Sequence, residues 1–220
     1  QTYTPQIELD DTLRGLDAAG IPKAAFVGTS RGGLVLMGMA ATAIGRMTAA
    51  VLNDIGPRIT RDGLARIASY VGDDSPTDWD EALAALKASQ GVPFPGLADD
   101  EWRRFAEQIF REEDGRPVYD YDPAMKQAFE AFSPDVPLPD LWPAFYAMRA
   151  VPVMVIRGGL SDILSTATLE AMRQSHPKLS PHVIPDQGHA PLLWDIPTQQ
   201  RISEFLIAAD ERRWPPRFSD

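Results

Sequence analysis

Cysteine is absent from this chain, which removes disulfides, thiolate metal sites and a cysteine nucleophile from consideration. An excess of positive charge is absent too. Lys and Arg number 21 against 31 Asp and Glu, for a net charge of −10, and a chain of that sign has no electrostatic pull toward phosphate backbones or anionic lipid. No apolar run reaches the roughly 18 residues that a membrane-crossing helix needs. There is no internal repeat and no low-complexity tract. The sequence opens at Gln1 without a positively charged leader, the expected look of a processed or truncated chain. We therefore expect a soluble, cytoplasmic protein with neither nucleic acid nor a membrane as partner. What is present is 220 residues, 44% of them hydrophobic. That is enough to bury a core as one domain, or as one domain with an insertion.

Within that length, Gly28-Thr29-Ser30-Arg31-Gly32 is the most informative stretch. Ala24 to Val27 before it has the character of a buried strand, and Leu34 to Met37 after it has the apolar density of a buried helix. A glycine-spaced serine between a strand and a helix is how a hydroxyl is pushed out of the backbone for nucleophilic attack. At average usage of Gly and Ser, chance gives the spacing only about 0.07 times in a chain this long, so the matching flanks carry weight. Such a turn leaves no room for side chains two positions before and after the serine. Gly28 and Gly32 are expected to meet that demand.

The rest of the chain alternates around this turn. Leu9, Leu13 and Leu16 lie at helical spacing in Ile7 to Ala19, with Gly20 as a stop, and Ala49 to Ile55 is a strand-length apolar run ending at Gly56-Pro57. Helix, strand, helix, strand is the order of an α/β layer with a parallel sheet. From Arg58 to Ala150 the character changes to short amphipathic helices with proline-rich joints and no convincing strand. Leu64, Ile67 and Val71 share one face, Thr77 is placed to cap a helix carrying Trp79, Leu83 and Leu86, and Trp102, Phe105 and Ile109 mark a third. A short helix is expected from Pro123, and Asp140 caps one with Leu141, Trp142, Phe145 and Met148. Pro134, Pro137 and Pro139 form a joint. The first pattern resumes with a strand at Val151 to Ile156, a helix at Thr166 to Ser175, a short strand at His182 to Ile184 and a closing helix at Thr198 to Ala209. An all-helical insert, 58–150, thus interrupts an α/β core made of 1–57 and 151–220.

A serine hydroxyl is a weak nucleophile until a base takes its proton, so an imidazole and a carboxylate must be found where the core can deliver them. Asp162 lies in Arg157-Gly158-Gly159-Leu160-Ser161-Asp162, just past one strand, and His189 lies in Asp186-Gln187-Gly188-His189-Ala190-Pro191, just past the next. Loops beyond the carboxyl ends of parallel strands share one edge of the sheet. The chain order Ser, Asp, His is that of the α/β-hydrolases.

Those three stretches together resemble the α/β-hydrolase superfamily with a helical cap, over nearly the whole chain. The resemblance implies Ser30 as nucleophile, His189 as general base and then acid, Asp162 as the acid that orients the imidazole, and the backbone N–H of Arg31 as half of an oxyanion hole. It also implies a rival acid, Asp54, because some members of the superfamily carry their carboxylate directly after the corresponding strand, although Asn53-Asp54-Ile55-Gly56-Pro57 has the look of a structural turn. Family members place four strands and an oxyanion loop ahead of the helix at Ile7 to Ala19. That N-terminal part of the sheet is absent from this sequence, so we expect the C-terminal part of a longer polypeptide, its missing portion supplied by another chain, cleaved as a separate N-terminal fragment, or simply not included, and completing the sheet beside the serine strand.

Other candidates have plainer readings. His182 reads as an in-strand residue and His176, before Pro177, as a helix-end residue. Arg31 can pair with a neighbouring acid or contact a substrate carboxylate, and Arg157 is similar. Trp142, Phe145 and Met148 are candidates for the substrate pocket, with packing of cap against core as the competing role. Asp73-Asp74 and Asp99-Asp100-Glu101 are solvated turns and helix starts without calcium-ligand spacing. The expected activity is a serine hydrolase acting through an acyl-enzyme on a small, hydrophobic ester, thioester or lactone, with no metal and no organic cofactor. Hydrolysis of a carbon–carbon bond in a diketone or ring-cleavage product is the alternative chemistry, and a ligand-binding protein on a hydrolase scaffold is the non-catalytic one. Serine at position 30 argues against the dehalogenase and epoxide hydrolase branches, where the resemblance would predict aspartate.

Overall fold

The computed structural model describes residues 3–130, 137–216 and 218. The joint expected at Pro134 lies outside them. Helix α1 (Pro5–Ala18) opens with Pro5 in its first turn, and the Thr4 hydroxyl accepts the Ile7 N–H as a cap. Strand β1 (Ala24–Thr29) leads through Ser30 into α2 (Arg31–Ala43), and β2 (Met47–Asn53) follows. After the insert come β5 (Val153–Gly158), α8 (Thr166–Ser175), β6 (Leu179–Ile184) and α9 (Ile196–Asp210). These strands form one parallel sheet in the order β1-β2-β5-β6. The α/β architecture expected from the alternation is therefore present, with boundaries shifted by at most three residues.

Both faces of the central strands are covered, which is why they are apolar throughout. Ala50, Leu52, Val153 and Val155 join a core with Leu9 of α1, the buried face of α2, and Leu169 and Met172 of α8. Their alternating neighbours Ala49, Val51, Met154 and Ile156 face Phe205 of α9 instead. β1 differs because it is the sheet edge. Among the described residues it pairs with β2 alone, and Val27 is 52% exposed.

The segment between β2 and β5 carries α3 (Arg61–Ala68), α4 (Trp79–Gln90), α5 (Asp99–Ile109), α6 (Gln127–Glu130) and α7 (Trp142–Ala147). It is not all-helical. Phe110–Glu113 (β3) and Arg116–Tyr119 (β4) pair as an antiparallel hairpin. Asp114 and Gly115 form its two-residue turn, with φ of 52° and 76°, the positive pair that an Asp-Gly hairpin adopts. The strands escape a periodicity test because three of the four β3 side chains are exposed. Helices α4 and α5 share a core of their own, formed by Ala82, Leu86, Phe94, Trp102, Ala106 and Phe110. Asp78, not Thr77, caps α4, while the Thr77 hydroxyl donates to Glu81.

α7 belongs elsewhere. Phe145 and Met148 are fully buried in the main core against α2, and Trp142 packs edge-on to Phe145. This corrects the assignment of Phe145 and Met148 to a substrate pocket, because side chains with no exposed surface present nothing to a ligand, and Trp142, partly buried, packs on the same core.

Candidate active site

Ser30 sits where β1 turns into α2, with φ 49° and ψ −115°, a conformation that non-glycine residues rarely adopt. Its N–H still donates to the Asn53 carbonyl at 3.0 Å, so the strand ladder holds the residue up to the point where the chain reverses. The crowding at this turn falls on Gly28 and Gly33. A Cβ at Gly28 would lie 2.8 Å from Gly32 C and Gly33 N, and one at Gly33 would lie 2.2 Å from the Ile55 side chain. Gly32 has open space around it, so the expected demand at that position moves one residue along. The side chain at 32 points out of the turn, whereas that at 33 faces the sheet. As the first residue of α2, next in the chain to Ser30, Arg31 has an N–H without a helical acceptor. The Arg31 side chain takes its plainer role and forks onto Glu8 of α1, with Nε 2.8 and 2.9 Å from the two carboxylate oxygens.

His189, 8% exposed, follows β6 and reaches back across the sheet edge. Its Nε2 is 2.8 Å from Ser30 Oγ and its Nδ1 is 2.8 Å from Asp54 Oδ2. A carboxylate oxygen only accepts, so Nδ1 carries the proton and the Nε2 lone pair is turned to the serine hydroxyl. Asp54 is fully buried at the end of β2 in the left-handed region, with φ 56°. Its Oδ1 accepts the Gly158 N–H at 2.9 Å, and its Oδ2 also accepts the Ser161 hydroxyl at 2.6 Å. Asn53 braces the same edge. Its amide nitrogen donates to the Thr29 hydroxyl at 3.2 Å and to the Pro191 carbonyl at 2.9 Å, joining the serine strand to the histidine loop.

The carboxylate on the imidazole is thus Asp54, and the assignment of Asp162 to that place is corrected. Asp162 is turned away onto α3, where its oxygens meet Arg66 Nε at 2.6 Å and Nη2 at 2.9 Å. Its backbone carbonyl accepts the Thr60 hydroxyl. The Arg66 guanidinium, through its hydrogen bonds, holds the Asp162 carboxyl below the usual carboxylate range. Arg157 is likewise structural. Its guanidinium lies along the loop after β5, with Nε 2.7 Å from the Leu164 carbonyl.

The remaining histidines stand apart from the serine. His176 caps the end of α8, with Nε2 3.0 Å from the Met148 carbonyl, and burial pushes its pKa down. His182 contacts the Thr198 hydroxyl at 3.2 Å and is shifted the same way, for the same reason. Among the described residues no group of three or more His, Asp or Glu side chains is arranged to hold a metal, and no helix is long and apolar enough to cross a membrane.

Sequence reasoning did not identify Ser161, the Gly158 N–H or Asn53 as parts of this network. Only Asp54 left a signal, an aspartate directly after a strand in a turn that the left-handed region permits. The insert reaches the site through the histidine loop. Leu192 packs on the α4–α5 core, Trp194 stacks edge-on to Phe105 at 6.1 Å, and Arg104 lies 4.4 Å over the Trp194 ring.

Comparison with known proteins agrees with the fold. Residues 1–200 match the model of an alpha/beta hydrolase family. A 3-hydroxybutyrate-oligomer hydrolase of Cupriavidus necator is 31% identical over 212 residues, spanning 91% of this chain and 71% of that protein. The crystal structure of an alpha/beta hydrolase from Novosphingobium aromaticivorans superposes with a TM-score of 0.86 at 38% identity, over 94% of this chain and 73% of that one. An E-2-(acetamidomethylene)succinate hydrolase shares the fold, with a TM-score of 0.74 at 22% identity over 94% and 75% of the two chains.

Proposed function

Because the chain belongs to the alpha/beta hydrolase family, we propose that it is a serine hydrolase that cleaves a small, hydrophobic carboxylic ester through an acyl-enzyme, with Ser30 as nucleophile, His189 as base and Asp54 as acid. The observation that carries the reading is the unbroken chain from Ser30 Oγ through His189 to Asp54, with both links at 2.8 Å. The ester class is supported by the Cupriavidus relative, named for hydrolysis of a hydroxybutyrate oligomer.

As Ser30 Oγ attacks the ester carbonyl carbon, its proton passes to His189 Nε2, and the imidazolium so formed is stabilised by Asp54 through the Nδ1 proton. The oxyanion is received by the Arg31 N–H. Collapse breaks the carbon–oxygen bond to the alcohol, which leaves with the Nε2 proton. Water then gives its proton to Nε2 and attacks the acyl carbon; collapse returns that proton to Ser30 and frees the acid.

The insert, taken as 58–140 because α7 packs in the main core, is assigned as a cap over Ser30. The same proposal gives the free edge of β1 to a strand from another polypeptide segment or chain, which would cover Val27 and bring the second oxyanion donor.

The test is covalent. A fluorophosphonate probe is expected to label Ser30, and Ser30→Ala is expected to abolish both labelling and p-nitrophenyl ester cleavage. Labelling or turnover that survives in Ser30→Ala would overturn the assignment. A panel of short-chain esters, thioesters, lactones and vinylogous diketones then tests the ester class.

A further inference from the structure

The loop expected to supply the acid contributes something else. We propose that Ser161 is a positioning residue of the Ser30–His189–Asp54 network, on which this inference rests, acting by donating its hydroxyl proton to the Asp54 oxygen that faces His189.

The hydroxyl has no choice of direction. A serine oxygen has two lone pairs and one proton. At Ser161 the lone pairs are taken by the N–H groups of Ile163 and Leu164, each at 3.1 Å, which leaves the proton for Asp54 Oδ2 at 2.6 Å. A hydroxyl that accepts twice from backbone cannot turn to accept from a third group, so it acts on Asp54 as a donor only. The loop that carries it is itself fixed, since Gly159 N–H donates to the Ile184 carbonyl and Arg157 holds the Leu164 carbonyl at 2.7 Å.

The consequence for Asp54 is a locked plane. Gly158 N–H holds Oδ1 and Ser161 Oγ–H holds Oδ2, so rotation about the carboxylate's bond to Cβ would break two hydrogen bonds at once. With its plane fixed in this way, Asp54 turns the second lone pair of Oδ2 to His189 Nδ1–H. Ser161 therefore sets where the imidazole points, and bonds of this charge-assisted type are about twice as strong as neutral ones.

Ser161→Ala is expected to lower kcat by about 10- to 100-fold, the loss typical of one hydrogen bond to a charged group, with KM unchanged because the side chain does not meet substrate. Ser161→Thr keeps the hydroxyl and is expected to recover most of kcat. In an Asp54→Asn background, adding Ser161→Ala should cost no more than about twofold, since its route of action is gone. A wild-type kcat in Ser161→Ala, or an undiminished loss in the Asp54→Asn background, would overturn the proposal. If Ser161→Ala does not unfold cooperatively, Ser161→Cys, a weak donor that retains an acceptor, carries the same two comparisons. Retention of activity by Ser30→Ala or His189→Ala would instead defeat the underlying triad, so the two failures are distinct.

Discussion

Two neighbouring strands, β2 and β5, each end in a loop that carries an aspartate at the same edge of the sheet, and their side chains go opposite ways. Asp54 follows β2 at once, is fully buried, and accepts from Gly158, Ser161 and His189. Asp162 lies four residues beyond β5, is half-exposed, and is spent on Arg66 of the insert. The difference lies in loop length and partner. A short, left-handed turn delivers a carboxylate under the imidazole with little freedom, while the longer loop carries its carboxylate outward to meet a cation. What the longer loop gives the site is a hydroxyl and a backbone N–H that hold the other loop's acid.

The largest expected effect separates the two acids directly. Asp54→Asn is expected to lower kcat by about 10³- to 10⁴-fold, through loss of the Nδ1 proton's acceptor and with it the correct tautomer. Asp162→Asn is expected to stay within a fewfold of wild type. Steady-state turnover of a p-nitrophenyl ester distinguishes them, and the reverse ranking would return the acid to position 162.

A second experiment compares the backbone contacts that support each loop. A Cβ at Gly158 would lie 2.4 Å from the Gln187 carbonyl oxygen and 2.5 Å from that of Gly188, pressing on the histidine loop. A Cβ at Gly63 would lie 2.2 Å from the Asp162 carbonyl, pressing on the other. Both substitutions crowd rigid backbone, so each should destabilise the fold by about 1–3 kcal/mol. Only Gly158→Ala is expected to reduce kcat strongly, on the order of 10²-fold, because only it displaces His189. Equal losses of activity in the two variants would show that the loops are not independent.

The comparison also explains what the sequence made legible. Ser30 and His189 were readable because each sits in a motif whose glycines and flanking apolar runs have one structural meaning. Glycine-spaced Ser30 reads as the turn after β1, and His189 as part of the loop after β6. The choice between Asp54 and Asp162 depends on side-chain direction, which no local pattern encodes. It is decided by Arg66, 96 residues before Asp162 in the chain and packed against it only in the fold. The same limit applies to Trp142, Phe145 and Met148. Their apolar stripe was plain, but the partner of the stripe is α2 and not the remainder of the insert. The hairpin had one legible sign, Asp114-Gly115, which the charged residues of β3 obscured.

The smallest expected effect concerns stability against pH, and it splits into two windows. Arg66 depresses the Asp162 pKa in the folded state, so the unfolded chain binds the proton more readily. The pair's contribution is then present above about pH 4 and is lost as pH falls through the depressed native value. Both side chains are partly solvated, so that contribution is at most about 1 kcal/mol. His176 has a folded pKa lowered by burial. Its neutral form is the folded one, and the stability tied to it is present above about pH 6.5 and declines as pH falls below that value. Wild type should accordingly lose thermal stability in two steps on acidification, and Asp162→Asn should show the upper step unchanged. The melting temperatures of the two proteins should differ near about pH 6 and converge toward about pH 2. A difference that persisted undiminished at the acid end would mean that the ionised Asp162 carboxylate is not what joins the loop after β5 to α3, and that the Thr60 hydroxyl on the Asp162 carbonyl and the Thr60 N–H on the Ile163 carbonyl make that connection.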